Sequence, residues 1–491
     1  MKSRIIQIIG IIALSIHYLY PSTSIIAGKD ASTDGAVLWG HNEDQAGQRI
    51  VNVWRVNQRE YTADDSIILM TGEKIPQTKK SWAYLWFQMN ESDCADCYMN
   101  EWGVTVAGNS CPSKLDSAVA PGRIGYLLRR IIAERAQSSK DGVRIAGTLL
   151  DSLGYADFGQ TLIICDPNEA WLISILGGKY WTARRVPDNG VIALSNQFIF
   201  DDVDFKDKDN WMFSRADIRQ LALDQGWYHP DSSTEFNFSA VFAKGDSNDH
   251  RPWRAQQLIT GKFDTIMLES ENNLTFAVYP KKKISLEKIM SLLRDRDEGI
   301  DHAKQAFDLT GMNSNQITLR TICNSTTQYA VVAQLRNWLP WPAIGVLWVS
   351  FGRPDCHPFL PWYSAVDSIP EYYCNIPNIQ SPDSALSHHF NSLPGTFRYD
   401  PRSAFWIQNE LENIMDMNYN ESLSRIIPVR NAIEKNLIDF QQEFESSMLR
   451  LWKKDPDLAT LYCRELLLSA TEETLQKTIQ MIKWLKTHNF H

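Results

Sequence analysis

Four short apolar segments follow one another within residues 160–198, and they constrain the fold of this chain more than any other feature. They read QTLIICD, EAWLISIL, KYWTARRV and GVIALSNQF. Short runs of turn residues separate them, namely Asp166-Pro167-Asn168, Gly177-Gly178 and Asp188-Asn189-Gly190. Connections this short join antiparallel neighbours, because a parallel pair of strands needs a crossover of a dozen or more residues. The pattern predicts an antiparallel meander.

Other strand-like and helical segments surround this meander. TSIIAG and AVLWGHN flank a turn-rich connector near the start, and residues 102–108 (WGVTVAG) alternate like another strand. Residues 123–154 change to a helical period with one apolar side. Strands return within residues 316–352, and the sequence after residue 403 is mostly amphipathic helix. This order predicts an α+β layered fold, with two sheets and helices outside them.

The amino-terminal residues have the pattern of a secretory leader. Lys2 and Arg4 precede the apolar run IIQIIGIIALSI, which is too short to span a bilayer as a standard helix. The residues before Ser22 are large and include Pro21, whereas leader peptidases prefer small residues. We therefore expect an exported protein (periplasmic, secreted or lumenal), with residues 1–21 either removed or kept as an anchor. No later segment is apolar for long enough to predict a membrane span.

Composition excludes several classes of protein. The chain has 491 residues and a net charge of −9, without the dense Lys/Arg run that a general nucleic-acid binder needs. Its 8 cysteines are scattered, which argues against a disulfide scaffold. Cys94 and Cys97 form a C-x-x-C pair with Cys111 nearby, but one pair cannot complete a four-ligand zinc site. We expect a local disulfide or simple packing there, keep a thiol enzyme as an alternative, and predict no metal or cofactor.

One set of residues fits a hydrolase whose nucleophile is the first residue of the mature chain. Its own α-amine, with an ordinary pKa of about 8, can accept the nucleophile's proton. A carboxylate must hold that amine, a donor must face the oxyanion, and a positive group often tunes the site. The chain offers Ser22, Asp44 in GHNED, Asn196 in ALSNQ, and Arg251 or Arg254 in HRPWRAQQL. Taken singly, each is more typical of a turn, a loop or a surface position than of a catalytic site.

The wording and order of several segments resemble one family. Residues 22–44 (STSIIAGKDASTDGAVLWGHNED) resemble the mature start of the N-terminal nucleophile dipeptidases, which include the secernins. That start is Cys-Thr, a strand, Gly-Lys-x-Ala-Ser/Thr-x-Asp-Gly, and a second strand ending in Asn-x-Asp. The similarity continues through residues 99–110, 133–155, 165–198 and 325–366, so it covers nearly the whole chain after the leader. Choloylglycine hydrolase and penicillin V acylase share this family's fold and its use of an N-terminal nucleophile.

The resemblance implies an αββα sandwich, the Ntn-hydrolase fold, in which two stacked antiparallel sheets lie between helical layers. We place that domain at residues 22–402, and a helical extension packed on it at residues 403–491, where the mostly helical pattern begins. Ser22 falls on the nucleophile, Asp44 on the carboxylate that contacts it, and Asn196 on the side-chain oxyanion donor. A backbone oxyanion donor falls near Asn109 and Ser110, and the arginine is matched by Arg251 or Arg254.

Two positions depart from the family pattern. Ser22 stands where the family has cysteine, and a hydroxyl is far less acidic than a thiol. His41 stands where a basic residue often precedes Asn-x-Asp, and it is either cationic near acidic groups or hydrogen-bonded within the sheet. The resemblance implies an amide hydrolase acting on dipeptides or short peptides. An N-acyl amide acylase and an inactive, peptide-binding relative are the alternatives, and the oligomeric state, a homo-oligomer included, stays open.

Overall fold

The computed structural model describes residues 22–488 except 94, 116–119, 158, 231–234, 245–248, 263–273, 300–320, 375 and 377. The predicted leader and Cys94 therefore lie outside the described residues. The strands are β1 (Thr23–Ala27), β2 (Val37–Asp44), β3 (Val51–Val56), β4 (Arg59–Glu60), β5 (Ser66–Ile68), β6 (Lys74–Pro76), β7 (Lys80–Ser81), β8 (Tyr84–Met89), β9 (Cys97–Asn100), β10 (Thr105–Ser110), β11 (Gln160–Cys165), β12 (Ala170–Gly177), β13 (Tyr180–Arg185), β14 (Val191–Leu194), β15 (Trp211–Phe213), β16 (Thr327–Leu335), β17 (Gly345–Phe351) and β18 (Leu360–Tyr363).

The helices lie between and after these strands. They are α1 (Leu127–Arg135), α2 (Ser139–Leu153), α3 (Ile218–Asp224), α4 (Phe238–Phe242), α5 (His250–Thr260), α6 (Leu286–Leu293), α7 (Pro382–Ser387), α8 (Ala404–Met417), α9 (Tyr419–Trp452) and α10 (Pro456–His488), with a short 3-10 helix at Glu371–Tyr373. No helix within the described ranges combines the length and the apolar character needed to cross a membrane.

Two antiparallel sheets form the centre of the fold. The first has six strands in the order β14-β1-β2-β16-β17-β18, and the second has eight in the order β15-β13-β12-β11-β10-β9-β8-β3. The predicted meander is confirmed for β11, β12 and β13, which are consecutive neighbours. It is wrong for β14, which pairs with β1 of the other sheet. The connection before β14 bonds to the residues that follow β1, since Asp30 N donates to the carbonyl oxygen of Asp188 at 2.8 Å.

The two sheets stack face to face, with helices on both outer sides. Phe87 of β8 packs at 6.2 Å from Phe351 of β17 and at 5.8 Å from Trp362 of β18, measured between ring centroids. A second apolar cluster joins the other face of the eight-stranded sheet to α1 and α2, through residues such as Leu128 and Leu150. The expected α+β αββα arrangement is confirmed.

The carboxyl-terminal helices continue the core on the side of β18. Residues of α8, α9 and α10 join the same apolar cluster as the six-stranded sheet. A buried ion pair links α9 to the end of β16, with Arg336 Nη2 at 2.7 Å from Glu445 Oε1. The predicted helical character of this region is confirmed, while its boundary at residue 403 as a separate unit stays a prediction.

Gly40 allows α6 to lie directly on β2. A Cβ at this position would come within 2.5 Å of Ile289 Cγ2 and 3.2 Å of Leu293 Cδ1. We expect Gly40→Ala to lower the free energy of unfolding by about 1–3 kcal/mol, because two helical side chains must shift in a packed core. Urea denaturation measures this change. Gly125→Ala is the matched control, since its Cβ would meet no atom closer than Ala156 Cβ at 3.8 Å; an equal loss in both variants would contradict the assigned cause.

Candidate active site

The candidate site is built on the paired strands β1 and β2. Their register places Ser24 opposite His41 and Thr23 opposite Asn42, so Ser22 lies opposite Glu43. Successive side chains of a strand point to opposite faces. Ser22, Ser24, His41 and Glu43 therefore share the face toward the eight-stranded sheet. Gly40, on the other face, packs against α6.

Ser22 is held by three side chains from different parts of the chain. Its Oγ donates a hydrogen bond to Glu43 Oε1 at 3.1 Å. Its carbonyl oxygen accepts from Asn109 Nδ2 at 2.9 Å and from Arg251 Nη1 at 3.2 Å. The residue is only 3% exposed. Ser22 is thus a fixed, buried group at the start of a central strand.

Arg251 is the charged group that joins the elements of the site. It lies at the start of α5, where Asp249 caps the helix and accepts from Arg251 Nε at 2.8 Å. Its Nη1 also donates to Thr23 Oγ1 at 3.0 Å, and its Nη2 donates to Asn196 Oδ1 at 2.8 Å. Burial alone would lower the pKa of Arg251, but the carboxylates of Asp249 and Asp44 raise it above its usual range. The guanidinium therefore stays charged beside Ser22.

Asn196 lies just after β14, next to β1 in the same sheet. Its Nδ2 donates to the carbonyl oxygen of Ser110 at 2.9 Å, while its Oδ1 accepts from Arg251. Ser110 ends β10, the strand that carries Asn109. The structure thus brings together Asn109, Ser110, Asn196 and Arg251 around Ser22. Their catalytic roles stay predictions.

Asp44 is buried on the face of β2 opposite to Glu43. Its Oδ1 accepts from Thr327 Oγ1 at 2.5 Å, and its Oδ2 accepts from Asn324 Nδ2 at 2.9 Å. Arg251 Nη1 lies 3.8 Å from Asp44 Oδ2, so Asp44 is linked to Ser22 through that guanidinium. Direct contact of Asp44 with the nucleophile stays a prediction.

Arg254 occupies a different environment from Arg251. Its Nε and Nη2 donate to the two carboxylate oxygens of Asp295, each at 2.8 Å. Its Nη2 also donates to the carbonyl oxygen of Glu298. Of the two arginines considered from the sequence, Arg251 is the one that contacts Ser22.

Sequence reasoning missed Glu43, the carboxyl group that accepts from the Ser22 hydroxyl. Its other oxygen, Oε2, lies 3.0 Å from His41 Nε2. Burial lowers the pKa of His41 to about 3, with a further contribution from the Arg129 charge. Burial, and then the Asp44 charge, raise the pKa of Glu43. The alternation of His41 and Glu43 opposite Ser24 and Ser22 is the sequence signal that could have identified this group.

The described residues contain two further places with reactive side chains, which are Cys97 and the group of Cys356, His357 and Glu412. Cys97 is buried in β9, and burial raises the pKa of its thiol, which disfavours a thiolate nucleophile. Among the described residues, Cys356, His357 and Glu412 could offer metal ligands within 4.8 Å of one another. Arg353 Nη2 already donates to Cys356 Sγ at 3.5 Å, and a guanidinium at the thiol disfavours a metal cation there.

Comparison with known proteins gives matches over most of the chain. The profile of Peptidase family C69 matches residues 21–431. A probable dipeptidase of Latilactobacillus sakei is 24% identical over 432 residues, covering 84% of this chain and 85% of that protein. A probable dipeptidase B of Streptococcus pyogenes serotype M1 is 23% identical over 481 residues, covering 93% and 91%. A mutant conjugated bile acid hydrolase from Clostridium perfringens aligns in structure over 70% of this chain and 96% of its own, with 10% identity and a TM-score of 0.30.

Proposed function

We propose that this chain, which belongs to Peptidase family C69 and is an amide hydrolase, cleaves dipeptides and short peptides with Ser22 as its nucleophile. The names of the relatives support dipeptides as the substrate class. The observation that carries the assignment to Ser22 is the convergence of Asn109 and Arg251 on its carbonyl oxygen. Side chains from β10 and α5 thereby fix one residue of β1, which is how a reacting group is held in position.

The proposed reaction begins with removal of residues 1–21. The peptide nitrogen of Ser22 then becomes a free α-amine, whose ordinary pKa of about 8 suits it to accept a proton near neutral pH. Ser22 Oγ attacks the scissile carbonyl carbon while its proton passes to that amine. The amine side of the substrate leaves with a proton, and water hydrolyses the acyl-enzyme ester.

Charge develops on the substrate's carbonyl oxygen during the attack. We propose that Asn196 Nδ2 and a backbone N–H near Asn109 and Ser110 stabilise this oxyanion. Arg251 supports this role because its bond to Asn196 Oδ1 fixes the orientation of the amide, with Nδ2, the donor to the carbonyl oxygen of Ser110, as its donating end. The opposite charges of Asp44 and Arg251 would together set the electrostatic environment of the new amine.

Export is part of the proposal, because the leader pattern provides a reason for cleavage before Ser22. The apolar run in residues 5–16 and the basic residues before it support this. A chain kept whole by Pro21 would retain the peptide bond at Ser22 and lack the base. Activity and processing are therefore linked.

The proposal predicts that hydrolysis requires a free amine on Ser22. Two proteins should be compared, one made to begin at Ser22 and one carrying a single extra alanine before it. We expect the first to cleave dipeptides with a kcat/KM at least roughly 10²-fold above the second, because only its amine can act as the positioned base. Peptide hydrolysis measured by chromatography, with the amino terminus verified by mass spectrometry, provides the readout.

The substrate panel distinguishes the alternatives. Dipeptides, tripeptides and N-acyl amides should be assayed with the same protein. Cleavage of N-acyl amides alone would replace the peptidase proposal by an acylase. Equal activity of the two amino termini would contradict the amine mechanism, and binding of peptides without cleavage would identify an inactive relative.

A further inference from the structure

Five buried residues, Ser22 among them, form a closed ring of hydrogen bonds. Ser22 Oγ bonds to Glu43 Oε1 at 3.1 Å, and Glu43 Oε2 to His41 Nε2 at 3.0 Å. His41 Nδ1 bonds to Ser24 Oγ at 2.7 Å, and Ser24 Oγ to Asn109 Oδ1 at 2.9 Å. Asn109 Nδ2 closes the ring on the carbonyl oxygen of Ser22 at 2.9 Å. All five residues are at most 3% exposed.

The hydrogens of this ring can be assigned from its fixed end. The carbonyl oxygen of Ser22 can only accept, so the atom of Asn109 that faces it must be the amide nitrogen. The amide oxygen of Asn109 then faces Ser24 and requires a donor. Ser24 has a single hydroxyl hydrogen, and it is used here.

The direction of the next bond follows from this assignment. Because the Ser24 hydrogen goes to Asn109, Ser24 Oγ must accept from His41 Nδ1, which therefore carries a hydrogen. His41 Nε2 and Glu43 Oε2 face each other at 3.0 Å, so one of these two atoms must also carry a hydrogen. The His41–Glu43 pair thus holds one proton more than a neutral imidazole beside a carboxylate.

The environment decides on which residue this proton lies. Burial lowers the pKa of His41 to about 3, which disfavours the imidazolium. Burial and the nearby Asp44 raise the pKa of Glu43, although Arg129 opposes them. Besides His41, five ionisable side chains of the described residues lie near Glu43. They are Asp44 in β2, Arg129 in α1, Asp96 just before β9, Cys97 in β9 and Tyr329 in β16.

We infer that Glu43 is a neutral carboxylic acid that donates to the neutral imidazole of His41 and takes the Ser22 hydroxyl hydrogen bond on its carbonyl oxygen. This role rests on the proposed function of Ser22: if Ser22 is the nucleophile, Glu43 is a catalytic residue that orients it. His41, acting through Glu43, is a positioning residue. A protonated acid cannot take the hydroxyl proton, so the base must be another group, as the free α-amine is.

The neutral state of Glu43 also matters for that amine. A carboxylate beside an amine favours the ammonium form, which has no lone pair to accept a proton. A neutral acid keeps the same hydrogen-bond acceptor at Ser22 Oγ without adding this negative charge. The pair therefore fixes the hydroxyl while it leaves the amine free to act as a base.

Glu43→Gln separates a neutral acid from a carboxylate, because glutamine offers a carbonyl oxygen to Ser22 and an N–H to His41. In the protein that begins at Ser22, we expect Glu43→Ala to lower kcat/KM at least roughly tenfold and Glu43→Gln to recover most of that loss. Glu134→Gln is the matched control at a buried glutamate that is ion-paired with Arg130 at 2.8 Å. It should be destabilised without a change in KM.

The pH dependence of unfolding tests the proton without any activity. A raised pKa of Glu43 means that the folded protein holds a proton that the unfolded chain has lost, so stability is complete at low pH and falls as pH rises toward that pKa. Above about 6.5, where an ordinary histidine is also neutral, the His41 contribution is constant. Below about pH 4, where the unfolded Glu43 is protonated as well, we expect the wild type and Glu43→Gln to exchange the same number of protons on refolding, and above about pH 6.5 we expect the wild type to take up one proton more.

The outcomes separate this inference from the proposed function. The neutral acid would be overturned if Glu43→Gln lowered kcat/KM about 10²-fold or more while its free energy of unfolding depended on pH as that of the wild type does. Unchanged activity in Glu43→Ala would overturn the role of Glu43 in orienting Ser22. If the wild type cleaves no amide, the proposed function fails, and the difference in pH slope between wild type and Glu43→Gln still decides the protonation of Glu43.

Discussion

Ser22→Ala is expected to lower kcat/KM for dipeptides by roughly 10⁴-fold or more. The substitution removes the attacking oxygen and leaves the α-amine in place. It also removes the hydrogen bond to Glu43 Oε1, but it keeps the carbonyl oxygen that binds Asn109 and Arg251. The fold should therefore persist. Initial rates of dipeptide cleavage, measured on protein that begins at residue 22, give the result.

Ser22→Cys is the matched variant, since it keeps a nucleophile of similar shape. A free thiol has an ordinary pKa of about 8.5 and gives up its proton more readily than a hydroxyl. We expect Ser22→Cys to be active and to become sensitive to alkylation, whereas the wild type should resist it. Wild-type rates in Ser22→Ala, at equal thermal stability, would contradict the assignment of the nucleophile.

Arg251→Met is expected to have the second large effect, on stability and on activity together. The side chain is 1% exposed and bonds Asp249, Asn196, Thr23 and Ser22. Its loss leaves the carboxylates of Asp249 and Asp44 without their shared cation, which typically costs about 3–5 kcal/mol. We also expect kcat/KM to fall at least roughly 10²-fold, because Asn196 and Ser22 lose their common anchor. Denaturant unfolding and peptide hydrolysis measure the two losses.

Arg254→Met provides the control on the same helix. Arg254 is 4% exposed and forms a bidentate ion pair with Asp295. Its loss should therefore lower the free energy of unfolding by an amount similar to that in Arg251→Met. Its substitution should leave kcat/KM within a few-fold of the wild type under conditions where the protein is folded. A greater loss of kcat/KM in Arg254→Met than in Arg251→Met would reverse the roles of the two arginines.

Local patterns were sufficient where the chain pairs with its immediate neighbours. The turn residues between β11, β12 and β13 predicted their antiparallel order because short connections leave few other arrangements. The same reasoning failed for β14, which also follows a short connection but lies in the other sheet. A short loop limits the distance between strand ends, and it does not decide which of two stacked sheets receives the strand.

The site was predictable by position and less so by orientation. The resemblance to the dipeptidases pointed to Ser22, Asp44, Asn196 and the choice between two arginines, all from the order of motifs along the chain, and their catalytic roles stay predictions. It could not show that Arg251 faces Ser22 while Arg254 faces Asp295, since both occupy one helix of eleven residues. Glu43 required the register between β1 and β2, which becomes known only when the two strands are paired.

The position of β1 inside its sheet has a consequence for the chain end that processing would create. Chain termini commonly fray, and their backbone amides then exchange rapidly with solvent. Here β1 is bonded to β14 on one side and to β2 on the other, through Ser24, Ile25, Ile26 and Ala27. Slow hydrogen exchange is therefore expected within a few residues of the new terminus. The catalytic amine would be as rigid as the middle of the sheet, so its reach is set by the scaffold rather than by the motion of a loose end.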